Sequence, residues 1–140
     1  METSAPKLLR LVEDYLRDEA EGTVRHEYIG GRIHAMAGAS EAHNLISINV
    51  VSAIHAHLRG GPRKAYMADF KVRLEINREE IFYYPDVMVA CQRVGVEQYY
   101  LRYPTLLVEV LSPSTENIDR REKLLNYPQI STVEEYVLIA

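Results

Sequence analysis

The stretch PTLLVEVLSPST, residues 104–115, sets one carboxylate, Glu109, inside an apolar run from Leu106 to Leu111. A strand with one wet face alternates apolar and polar side chains, so a run that is apolar on both sides of its acid reads as a strand covered on both faces. Such a strand needs a layer above and a layer below its sheet, which is the arrangement of an α/β domain. The same covering shields Glu109 from bulk water. An ionised carboxylate placed there without partners costs roughly several kcal/mol or takes up a proton, so the chain is expected to supply a cation or hold a metal. An Arg or Lys from elsewhere in the fold, or a place at the wet end of the strand, would meet that need equally well.

A length of 140 residues suits one domain spanning 1–140 with a single sizeable core. Hydrophobic residues make up 47% and charged residues 26%, the balance of an ordinary soluble protein. No apolar stretch approaches the roughly 20 residues of a membrane span, so no membrane partner is expected. The N-terminal METSAPKLLRLVEDYLRDEAEG is charged throughout and lacks the apolar core of a secretory signal. The single cysteine, Cys91, has no partner for an internal disulfide; it reads as a packing residue and suits a reducing cytoplasm. A net charge of −4 argues against a generic nucleic-acid binder, which would gain from counterion release. The bases are nonetheless clustered, at Arg59, Arg63, Lys64, Lys71 and Arg73 and again at Arg120, Arg121 and Lys123. Such clusters are usually solvated faces, and they permit DNA without requiring it.

Leu8, Leu9, Leu11, Val12, Tyr15 and Leu16 recur at helical spacing after Pro6 and predict a helix ending near Glu21-Gly22. In VRHEYIGGRIHAMA two β-rich runs flank Gly30-Gly31, which supplies the positive φ angles of a two-residue hairpin turn. Ser40 can cap a second helix to about Arg59, with Leu45, Ile48, Val51, Ile54 and Leu58 on one stripe. From Lys64 the period becomes two, through KAYMADFKVRLEIN, IFYYPDVMVA and TLLVEVL, which read as the central strands. STENIDRREKLLNY returns to helical spacing through Ile118, Leu124 and Leu125, and EEYVLIA is a final strand. Strand, helix, strand in that order predicts a parallel pair inside a mixed sheet.

Asp86, after Pro85, is a second acid within an apolar strand, where alternation puts Tyr84, Asp86 and Met88 on one face. If its strand neighbours that of Glu109, the two lie about 4.8 Å apart and their carboxylates can share one hard divalent cation. Magnesium fits, taking oxygen ligands at about 2.1 Å and keeping several waters. His26, His34, His55 and His57 make no zinc set, since His55 and His57 are two apart and cannot share a helix face. Gly30-Gly31 and Gly60-Gly61 lack the Gly-Lys-Ser/Thr ending of a phosphate-cradling loop.

Pro85-Asp86 followed by Glu109 in LLVEVLSPST resembles the PD-(D/E)XK nucleases, the restriction-endonuclease-like superfamily. Within it the chain resembles the Uma family, through HEYIGGRIHAMAGASEAHN, YYPDVMV, LLVEVLSPST, DRREKLLNY and EEYVLIA. The resemblance implies a restriction-endonuclease-like mixed central sheet flanked by helices. It also implies a metal-dependent endonuclease that hydrolyses DNA phosphodiesters, with RNA as the alternative substrate, magnesium or manganese as cofactor, and a homodimer as the working unit. By the same resemblance Asp86, Glu109 and the Val110 carbonyl hold the metal, Glu27 supplements them and His43 lines the site. The superfamily's lysine, two residues after the second acid, is here Leu111, and Lys123 in DRREK is the candidate to replace it. Family members continue for several strands after the segment like EEYVLIA, so the chain is expected to be truncated at its C-terminus. The competing expectation is a catalytically inactive binding or assembly module that keeps the nuclease fold.

Overall fold

Two bends decide the architecture. The period of two runs on through residues 64–77 and again through 81–90, yet each run is broken and its halves join different sheets. The first gives β3 (Arg63–Met67) and β4 (Lys71–Ile76), separated by a turn in which the Phe70 amide donates to the Met67 carbonyl at 3.0 Å. The second gives β5 (Glu79–Tyr83) and β6 (Val87–Cys91), separated at Pro85, whose ring nitrogen has no hydrogen to give a ladder. The bends meet, with the Ala68 amide donating to the Asp86 carbonyl at 3.2 Å. Asp86 therefore stands at a bend and not within a strand, and strand alternation does not assign its face.

The structure is a computed structural model and describes residues 9–91, 94–112 and 119–140. With β1 (His26–Ile29), β2 (Arg32–Ala35), β7 (Tyr100–Leu101), β8 (Pro104–Val110) and β9 (Glu135–Ile139), the strands form a five-stranded sheet ordered β2-β1-β5-β4-β7 and a four-stranded sheet ordered β3-β6-β8-β9. Both are mixed. The expected parallel pair is β8 with β9, in register from Leu106–Glu135 to Val110–Ile139. A single central sheet was expected, and the two bends are why there are two.

Alternation along the strands sets the layers. Val72, Leu74, Ile81 and Tyr83 of one sheet and Met88, Ala90 and Leu107 of the other share a core with Tyr127 and Ile130. On the outer face of the five-stranded sheet, Tyr28 and Phe82 pack with Tyr15 of α1 (Val12–Glu21). On the outer face of the four-stranded sheet, α2 (Glu41–Leu58) packs against β3, β6 and β8. The strand carrying Glu109 is thus covered on both sides, as its composition requires.

α1 starts later than its apolar spacing predicts. The Arg10 amide donates to the Gly31 carbonyl at 2.8 Å and its carbonyl accepts from the Tyr28 hydroxyl at 2.7 Å, so the hairpin holds these groups outside a helix. Leu8 lies outside the described residues. Gly30 and Gly31 turn with φ of +55° and +93°, as expected, and a Cβ on Gly31 would meet the Leu9 Cβ at 2.8 Å. In α2 the Ser40 hydroxyl accepts from the His43 amide at 3.1 Å, as a cap should, but Leu45 and Ile48 of the predicted stripe are exposed.

Candidate functional site

The last helical segment turns Lys123 and Tyr127 inward. A π-helical turn, Asp119–Lys123, continues into an α-helical turn, α3 (Leu124–Asn126), and a 3-10 turn, Tyr127–Gln129. Hydrophobic spacing selects Leu124 and Leu125 for burial, together with Ile118, which lies outside the described residues. Leu124 and Leu125 are exposed, while Lys123 is only 3% exposed and Tyr127 not at all. Lys123 and Tyr127, four residues apart on one helical face, both reach Glu109. The Tyr127 hydroxyl donates to Glu109 Oε1 at 2.9 Å, and Lys123 Nζ lies 3.5 Å from the same oxygen. Burial, followed by the charge of Glu109, pushes the Tyr127 phenol well above its ordinary range, so it stays a donor.

Glu27 reaches the ammonium from the other sheet. Tyr28 is buried against α1, and alternation turns Glu27 to the inner side, where its Oε2 lies 3.1 Å from Lys123 Nζ and 3.5 Å from the Tyr84 amide. The ammonium also sits 5.0 Å from the centre of the Tyr83 ring. Lys123 thus bridges one acid from each sheet.

Asp86 approaches from the bend. Its Oδ2 accepts from the Val110 amide at 2.7 Å and its Oδ1 lies 3.2 Å from His43 Nε2, an ion pair when the imidazole is protonated. In a strand the N–H and C=O of one residue leave on the same side, so the Val110 carbonyl also leaves β8 toward Asp86. His43 is delivered by the capped first turn of α2.

All five predicted side chains, Glu27, Asp86, Glu109, Lys123 and His43, line one cavity of about 230 Å³, with Val110 at its wall. Depth is graded: the side chains of Lys123 and Glu109 are 4% exposed, Glu27 and Asp86 14%, and His43 17%. Three residues that the sequence did not single out belong here as well. Tyr127 touches Glu109. His34 pairs across the hairpin with Glu27 and lines the cavity. Arg25 lies toward the mouth, 33% exposed, its Nη1 donating to the Ala68 carbonyl at 2.6 Å. The i, i+4 spacing of Lys123 and Tyr127 was the one available signal for Tyr127; Arg25 and His34 carried none.

Two mixed sheets with acids and a lysine gathered between them define a restriction-endonuclease-like α/β fold. A crystal structure described as "a putative nuclease belonging to DUF820 from Anabaena variabilis" has that fold, with a TM-score of 0.65 at 19% identity. The match covers 81% of this chain and 64% of that one. The family model described as "Uma2: Putative restriction endonuclease" matches residues 12–140, and the chain belongs to that family. It is 36% identical over 138 residues to the uncharacterized protein slr1290 of Synechocystis sp., covering 98% of this chain and 72% of that protein. It is 32% identical over 142 residues to the uncharacterized protein sll1609 of the same organism, covering 99% and 78%. The family is one of nucleases, hydrolases that act on nucleic acid. Among the described residues, no helix is long and apolar enough to cross a membrane.

Proposed function

We propose that the chain is a metal-dependent endonuclease that hydrolyses phosphodiester bonds of DNA at the cavity of Asp86, Glu109 and Lys123. The observation that carries this reading is Lys123. Lys123, from the helical segment after β8, is buried with its ammonium between Glu27 and Glu109, where it could take the part of the lysine absent two residues after Glu109.

The donor set suits a hard divalent ion. Among the described residues no three His, Cys, Asp or Glu side chains stand together as a metal-binding group, so an ion here would be held by fewer side chains. Two carboxylates and a backbone carbonyl do suit magnesium, which binds proteins through one or two carboxylates and keeps waters. The described lining also has three carboxylates, Glu27, Asp86 and Glu109, against two fixed cations, Arg25 and Lys123, a balance that favours an added cation. Asp86, Glu109 and the Val110 carbonyl would hold the ion. Once bound, magnesium supplies a water of lowered pKa and a Lewis acid for the phosphate oxygens.

The chain's own groups prepare that chemistry. The Val110 amide and His43 fix the Asp86 carboxylate, and Tyr127 fixes Glu109 Oε1. Glu27 holds Lys123 where its charge can stabilise negative charge growing on phosphorus. Plasmid nicking in magnesium tests the proposal: EDTA and Asp86→Asn should each abolish it. Cleavage that persists through both treatments refutes the mechanism.

A further inference from the structure

We propose that Arg25 is a substrate-binding residue that grips a DNA backbone phosphate beside the one cleaved. The inference rests on the reading of Asp86, Glu109 and Lys123 as the reacting end of the cavity. Arg25 lies nearer the mouth, 33% exposed where Lys123 and Glu109 are 4%. A strand threading its phosphate to those acids passes it.

The side chain is held in place without being used up. Nη1 donates to the Ala68 carbonyl at 2.6 Å, and its ion pair with Asp69 is long, 3.8 Å, to a carboxylate 93% exposed to water. The guanidinium carbon sits 5.6 Å from the centre of the Tyr84 ring. That ring is itself anchored, its hydroxyl donating to Glu19 Oε1 at 2.8 Å. Nε and Nη2 make no hydrogen bond among the described residues. A planar fork with its stem fixed and its outer donors open matches a phosphate's paired oxygens, which a lysine at the same place could meet only as a point charge. The position also answers an electrostatic need. Three carboxylates line the cavity against the one buried ammonium of Lys123, and a cation at the entrance offsets the remaining negative charge that would repel a polyanion.

Binding of a fluorescent DNA duplex to the full chain, followed by anisotropy across a chloride series with calcium in place of magnesium, tests this. Arg25→Gln should weaken binding roughly fivefold, the usual ceiling for one solvent-exposed ion pair. The slope of log affinity against log salt should shrink by about 0.9, the release of one counterion. A merely structural role would lower the melting temperature and leave that slope alone. Arg25→Lys, which keeps the charge and loses the fork, should bind roughly twofold more weakly than wild type, and it decides the matter if Arg25→Gln does not fold. Wild-type affinity and slope in the variants overturn the assignment of Arg25 and leave the nuclease reading intact. Failure of the wild type itself to bind the duplex overturns both.

Discussion

Replacing Lys123 with methionine takes an ammonium from between two carboxylates while keeping most of the stem's packing. At 3.1 Å from Glu27 and 3.5 Å from Glu109, each attraction is about 5 kcal/mol gross at an effective dielectric near 20. Against this stands the cost of burying the ammonium, which methionine does not bear. Breaking a buried pair from one side costs about 3 to 5 kcal/mol. The partial exposure of Glu27, 14%, places this case at the lower end. Lys123→Met should therefore unfold about 3 kcal/mol more easily in urea at pH 8, and melt roughly 10 °C lower. The deficit should narrow at pH 5, because protonating a carboxylate relieves the repulsion left behind. Glu109→Gln added to Lys123→Met should recover part of it at pH 8. A single variant within about 0.5 kcal/mol of wild type at both pH values would falsify the idea that Lys123 neutralises the interior of the cavity. Nicking by Lys123→Met should also fall by at least about a hundredfold, since a preorganised charge is lost from the reacting end.

Tyr127→Phe removes a hydrogen bond to a charged group and little volume, so urea unfolding should show a loss of about 2 kcal/mol. Calorimetry should show weaker magnesium binding in the same variant, and unchanged values in both experiments would rule out a positioning role for the phenol. Alkali should unfold the chain sharply. Burial is the largest cause that pushes the phenols of Tyr15, Tyr83, Tyr84 and Tyr127 above their ordinary value of 10.0. The folded chain keeps those protons while the unfolded chain loses them, so this stability is complete below pH 10 and declines as pH rises, by about 1.4 kcal/mol per group for each unit. Of the ten tyrosines, these four should ionise only together with the loss of circular dichroism above about pH 10; complete tyrosinate absorbance reached while the fold persists would contradict it.

Glu109 was legible because an acid in a doubly covered strand needs a partner, and Asp86 because Pro-Asp in an apolar segment is a second such conflict. Lys123 was reachable only through the resemblance, since its helical segment advertises Leu124 and Leu125 as the buried face. The structure buries the opposite face, where the ammonium meets two carboxylates and the Tyr127 ring packs against Tyr83 and Tyr136 while its hydroxyl reaches Glu109. The strands were found but counted short. A period of two persists through Ala68-Asp69 and through Pro85, and periodicity cannot report that a chain has crossed from one sheet to another.

Local chemistry alone determined the covered strand of Glu109, the cap at Ser40 and the hairpin at Gly30-Gly31. Each depends on neighbours in the chain or on the composition of one segment. Tertiary structure decided which charges meet: Glu27 and Glu109 face each other because two sheets pack inner face to inner face, and Arg25 reaches the cavity mouth because the bend at Ala68 offers it a carbonyl. Distances between residues far apart in the chain follow from packing, and no local pattern encodes them.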